Sequence, residues 1–256
     1  MKSDAGGMPN LEGNCEGRAV GAIENVTIAG DGRDLLGGRL CQLLKGNGQL
    51  VSETRNVAAF VGLRVTAGFS VELVRAPQAV QLSLDENLLS HVSTNVQQGV
   101  LIVADTPASV LLLPSPAARI FVSSPSLSLI DAEGAASVRG GTAGSSLTLT
   151  ASGSSSLMLD LELTGELRAN ASGSSSVHLA GTAAHLHASA SGAASLEAVF
   201  PVGAAEISAS GSARVSVVAT ESVTVHAGGA SMVTVHGEPA RRTVETTGAA
   251  SVVFAD

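Results

Sequence analysis

The chain of 256 residues carries 22 acidic against 14 basic side chains, a formal net charge of −8, with lysine only at positions 2 and 45. That balance argues against nucleic acid as a partner, because phosphate binding needs clustered Lys and Arg. With no Trp, no Tyr and five Phe, the platforms on which bases or sugars stack are missing as well. No apolar run reaches the roughly 18 residues of a membrane span, so the chain is read as not membrane-spanning. Met1–Gly7 leads into polar sequence without the apolar stretch of a signal peptide, which fits either a cytoplasmic chain or one whose leader has been removed.

Residues 1–45 read as an N-terminal extension, Gly-rich and lightly patterned, with a strand at Val26–Ile28 before the turn-like Gly30-Asp31-Gly32. A short helix is expected over Asp34–Leu44, weakened by Gly37-Gly38. Both cysteines, Cys15 and Cys41, lie in this extension. They would pair in an exporting compartment and stay thiols in the cytosol, and the sequence leaves that choice open. From residue 46 the strand signal strengthens: Phe60, Leu63–Val65, Val71–Leu73, the alternating Val80–Leu84, Val100–Val103, Val110–Leu113, Ile120–Val122 and Leu127–Ile130. Pro107, Pro114, Pro116 and Pro125 punctuate these runs. Residues 46–130 are expected to form irregular coils continuous with the repeats of the second half.

Residues 131–256 repeat one phrase, a glycine followed by small residues and then an aliphatic. Its glycines are Gly134, Gly153, Gly173, Gly192, Gly211, Gly229 and Gly248, spaced by 19, 20, 19, 19, 18 and 19 residues. A period so regular is one structural unit stacked on itself. Around each glycine alternate positions form columns: Ala or Thr two before, Ala or Ser two after, Val or Leu four after. Period two is a strand with one buried face. By that parity the glycines and their small neighbours are expected to point inward, at a corner too thin for a branched side chain. Helical repeats fail on their Gly content, a propeller needs about 40 residues per blade, and no Asn-Gly or Asp-Gly turn occurs in the repeats to close hairpins. The fold class is therefore all-β, a parallel β-helix (solenoid) with coils of about 19 residues, preceded by a less regular β-rich part. Seven coils at about 4.8 Å stand roughly 34 Å tall. The general rule for parallel crossovers makes it right-handed.

Gly46–Phe60 with Leu63-Arg64-Val65, then Asp85–Leu89 with Gly99–Val103, then the Gly-Ala-Ser-Ser-Val-like repeats together resemble the putative auto-transporter adhesin, head GIN domain family. The resemblance covers about residues 46–256, in order, and leaves residues 1–45 uncovered. It implies a bacterial β-helical domain in the periplasm or at the cell surface, adhesin-like by architecture. It carries no catalytic residues that could be transferred to this chain.

A search for chemistry finds no P-loop, dinucleotide fingerprint, HExxH or GxSxG. No catalytic, cofactor-binding or metal-ligating residue is assigned, and no cofactor is expected. The repeated serines lack an accompanying base and its orienter and read as a structural ladder. Asp160 and Glu162 share an outward face without a second acid pair beside them, so they read as solvated rather than as a glycosidase pair. Asp85-Glu86 has no visible partner and sits at an expected turn. His185 and His187 share a face but find no Cys, Asp or third His by repeat alignment, and His178, His226 and His236 occupy other columns; zinc would need three or four ligands. The repeats carry no turn aspartate for calcium. Asn25 and Asn170 fit the N-glycosylation pattern, which chance readily supplies.

What remains is a surface. Outward positions beside the glycines are small and hydroxylated: Ser152, Ser172, Ser191 and Ser210 one before, Ser154 and Ser174 one after, Ser137, Ser156, Ser176 and Ser195 three after. Such a strip either suits a sharp corner or packs against a partner. The function expected is that of a non-enzymatic, extracytoplasmic adhesin-like or envelope interaction module, with a self-assembling structural scaffold as the alternative and a carbohydrate-active enzyme behind both. Its partner would be a second copy of the chain or a cell-envelope polymer.

Overall fold

A computed structural model describes residues 33–36, 39–107 and 110–255. The expected strand at Val26–Ile28, the Asn25 sequon and the Cys15–Cys41 pairing lie outside the described residues. The helix expected over Asp34–Leu44 is not formed. Its place is taken by β1 (Arg33–Leu36) and β2 (Arg39–Lys45), paired antiparallel. Helix propensity is poor around Gly37-Gly38, whereas β2 gains ladders on both sides, with β1 and with β9 (Val110–Leu113).

Between residues 46 and 130 the expectation of coils holds only in part. The strands β4 (Gly62–Val65) and β5 (Ser70–Val74) are a true coil: β4 pairs parallel with β11 (Leu129–Ala132), and β5 with β12 (Ser137–Gly144). On their far side lie β8 (Val100–Asp105) and β10 (Arg119–Ser123), again parallel. Two of the remaining strands run the opposite way. β3 (Leu50–Arg55) and β10 flank β6 (Ala79–Asp85), and β7 (Val92–Gln97) flanks β8, all antiparallel. The β7–β8 hairpin turns on Gln98 and Gly99, both at positive φ (51° and 76°). That is the two-residue geometry matching strand twist, reached with Gln where Asn or Asp would be the usual signal.

Beyond β12 the chain is a β-solenoid of about seven turns at a spacing near 19 residues. Its strands are β13 (Leu147–Ala151), β14 (Ser156–Leu163), β15 (Glu166–Ala171), β16 (Ser176–Thr182), β17 (His185–Ala190), β18 (Ser195–Ala209), β19 (Arg214–Ala227), β20 (Met232–His236), β21 (Arg241–Thr246) and β22 (Ser251–Ala255). Each coil contributes one run before its glycine turn and one after, and both runs stack parallel on the coil below. Val138, Leu157, Val177, Leu196, Val215 and Val233 form one column in strict register, and all are buried. The small columns two before and two after the glycines are buried as well, among them Ala151, Ala171, Ser155 and Ser175. Ser175 satisfies its hydroxyl by donating to the Ala151 carbonyl at 3.2 Å.

The glycines themselves do not point inward. Gly153, Gly173, Gly192 and Gly211 are exposed at the turn, because a left-handed turn residue breaks the strand parity on which the inward assignment rested. Gly173 has φ +73°, and a Cβ there would lie 2.7 Å from the carbonyl oxygen of Gly153 in the coil below. That oxygen accepts the Ser174 N–H at 2.7 Å, and Gly173 in turn accepts from Ala193. The backbone ladder therefore runs through the turns as well as the strands, and glycine stacks on glycine because only glycine combines this φ with so close an approach.

Candidate functional site

The strip of serines is positioned by the two ends of the strands that meet at each turn. Ser137, Ser156, Ser176 and Ser195 are the first residues of β12, β14, β16 and β18, and the register makes them consecutive members of one column. Ser152, Ser172, Ser191 and Ser210 directly follow the last residues of β13, β15, β17 and β18, and their amides continue the ladder onto the coil below at 2.9 Å. Ser154 and Ser174 lie at the turns between. Ser154, Ser174, Ser176, Ser195 and Ser210 are exposed, and Ser137, Ser152, Ser156, Ser172 and Ser191 are half-buried. None of these hydroxyls takes a partner among the described residues, in contrast to the inward Ser175 and Ser231. The hydroxyl column ends at Arg214 and Met232, where Ser195, Glu197, Arg214, Ser216, Met232 and Thr234 line a shallow groove.

The outer faces beside the strip carry an organisation that the sequence reading missed. His178 Nδ1 lies 3.1 Å from Glu197, and His226 Nδ1 lies 3.0 Å from Glu245. His187 sits between two carboxylates, 3.0 Å from Glu166 on one side and 3.0 Å from Glu206 on the other. A search for Cys, Asp or a third His passes over these glutamates. The signal is the period itself: in each case a histidine is followed by glutamate 19 residues on, hence at the same column position one coil away. All these groups are substantially exposed, and each exposed pair is worth at most about 1 kcal/mol. His185 faces the Ala204 position in the coil above, and His236 the Ala255 position.

Two acidic positions read differently in the structure. Glu162 is ion-paired with Arg75, from the loop after β5. That guanidinium holds its carboxyl below the usual range, so Asp160 and Glu162 are not a pair of free acids. Asp85, expected at a turn without a partner, is fully buried at the end of β6. It accepts from the Gly48 amide at 2.8 Å, the Ser115 amide at 2.8 Å and the Ser115 hydroxyl at 2.5 Å. Burial pushes its pKa up, but these donors outweigh burial and leave it below the ordinary carboxylate value. Its role is to tie three chain segments together. Asn170 donates to the Leu149 carbonyl at 3.4 Å on an exposed face.

The stacked coils and their glycine turns have counterparts in known proteins. Residues 59–239 match the family model described as Putative auto-transporter adhesin, head GIN domain. The chain belongs to that family. Among solved structures, it is similar to a putative adhesin from Bacteroides fragilis, with 18% identity over 83% of this chain and 100% of the other and a TM-score of 0.76. A putative adhesin from Parabacteroides merdae shares 19% identity over 84% of this chain and 99% of its own, with a TM-score of 0.58. A putative lipid binding protein from Parabacteroides distasonis shares 18% over 84% and 100%, with a TM-score of 0.62. At these identities the likeness is one of fold. No curated protein sequence matches the chain. Among the described residues no helix is long and apolar enough to cross a membrane.

Proposed function

We propose that this adhesin-family domain is a non-enzymatic, extracytoplasmic interaction module whose working surface is the flat Ser/Ala strip beside the glycine turns. The observation that carries the reading is the pairing state of the hydroxyls. Strip serines present donors and acceptors with no protein partner among the described residues, up to three per coil, bordered on one side by the column Arg139, Met158, His178 and Glu197. Long charged side chains ordinarily protect exposed β surface from association, and this strip lacks them from Ser137 to Ser195. A polyhydroxylated envelope polymer laid along the solenoid axis would meet a hydroxyl at each coil, roughly every 4.8 Å, and could exchange hydrogen bonds without a pocket.

The test is a triple variant, Ser156→Arg with Ser176→Arg and Ser195→Arg, assayed for retention on isolated envelope polysaccharide, on lipid vesicles and in sedimentation. Loss of polysaccharide retention with an unchanged melting temperature supports the reading. Undiminished retention leaves the strip as architecture alone. The same strip also supports lateral self-assembly as a scaffold, and a change confined to sedimentation would select that reading instead.

A further inference from the structure

The last described coil departs from the column rules most sharply at Arg242. Among the described residues its strands have neighbours on one side only: β21 pairs with β19, and β22 with β20. Such edges display unpaired N–H and C=O groups and an unsealed core, which invites another chain to continue the stack. In the run before the glycine, one inward column reads Leu147, Leu167, Leu186, Ala205 and Val223 through successive coils. Its sixth member is Arg242. In the run after the glycine, Leu159, Leu179, Ala198, Val217 and Val235 are followed by Phe254. The guanidinium of Arg242 lies over the Phe254 ring at 4.5 Å from its centroid, and its Nε donates to the Pro239 carbonyl at 3.1 Å. A position that is aliphatic in every one of these lower coils is thus filled by a cation folded across the end of the core.

We infer that Arg242, laid over Phe254, seals this end of the solenoid against coil-on-coil stacking by a second copy of the chain. A stacked copy would have to bury the guanidinium against apolar side chains or pull it off the ring. Burying a charge without a counter-ion is strongly unfavourable, and removing it forfeits the cation–π contact. An inward-pointing charge on an edge strand is a recognised device against edge-to-edge association. At the opposite end of the described residues the antiparallel ladders β3–β6–β10 and β7–β8 interrupt the parallel stack, so neither described end offers a plain parallel coil for head-to-tail growth. Association between copies, if it occurs, is then lateral. This inference stands apart from the strip reading, because it concerns the end of the solenoid and not its side.

Two variants test it: Arg242→Val, which restores the aliphatic column, and Arg242→Gln, which keeps much of the stem but removes the charge. Sedimentation over a wide concentration range is read together with amide hydrogen exchange of β21 and β22. The expected result is that Arg242→Val self-associates at least about tenfold more tightly than wild type, with exchange slowed in β21 and β22. Should Arg242→Val not fold, the same gain in Arg242→Gln carries the inference. The inference is overturned if the folded variants sediment like wild type. It is equally overturned if wild type itself associates with protection of β21 and β22, or if the variants associate without it.

Discussion

At the scale of single residues, the turn glycines and one buried aspartate carry the most structural consequence. Gly173→Ala already places a Cβ 2.7 Å from the Gly153 carbonyl oxygen and forces an L side chain to φ +73°. The left-handed conformation costs roughly 1–2 kcal/mol and the steric displacement roughly 1–3 kcal/mol. A loss of about 2–5 kcal/mol is therefore expected in thermal or urea unfolding, with Ser174→Thr next to it nearly neutral. A tolerated alanine would show that the turn is not what demands glycine. Asp85 makes the second case. Its folded pKa is depressed, so its contribution to stability is present above the unfolded Asp value of about 3.9 and is lost as pH falls through the folded value. Asp85→Asn should cost about 1.5–3 kcal/mol at neutral pH, the range for hydrogen bonds to a charged group, and should flatten the acid limb of the unfolding curve. An unchanged acid limb would remove Asp85 as its cause.

At the scale of elements, the strand ends around β8 and β9 hold a carboxyl of the opposite kind. Burial pushes Asp105, the last residue of β8, up to about 7, partly offset by the Leu112 amide that it accepts from. Its Oδ1 has no partner among the described residues. A folded pKa above the unfolded one means that the folded state keeps a proton the unfolded state releases. Stability then falls as pH rises from about 4 to about 7 and levels off beyond. Asp105→Asn should remove that slope, so the variant is expected to melt above wild type at about pH 8 and to lose the advantage near pH 4. A constant difference across that range would count against a titrating Asp105. The same scale explains why Asp34–Leu44 reads as a helix in sequence and forms strands in the fold. Local propensity there is ambiguous, and the pairing of β2 with β9 joins Gln42 to Val110, a separation beyond any local window.

For the whole molecule, the relevant property is that each coil touches only its neighbours. Stability in such arrays is approximately a sum of unit and interface contributions. Removing one complete period, residues 173–191, joins Ser172 to Gly192 and preserves the turn, the columns and both stacked runs of each coil. The shortened chain is expected to fold cooperatively with a retained β signature in circular dichroism. Its urea m-value should be lower in proportion to the surface it no longer buries. Collapse of the whole fold would mean that the coils are not interchangeable. The histidine–glutamate pairs depend on the same period, since a 19-residue step turns a sequence separation into a contact between adjacent coils.

The solenoid is legible in the residues without any coordinates: the glycine period sets the coil length, the alternating aliphatics set the buried face, and the motif order places the chain in its family. These signals can be read because they are local and repeated, so each copy confirms the others. Three features arise only when distant segments are packed together. The glycines face solvent, because their left-handed φ breaks the strand parity that a sequence pattern assumes. The strands β6 and β7 run against the solenoid strands, because the hairpin at Gln98-Gly99 and the burial of Asp85 under Ser115 rest on contacts no repeat announces. Arg242 closes the last described coil, because an arginine in an aliphatic column becomes intelligible only once the Phe254 ring beneath it is seen.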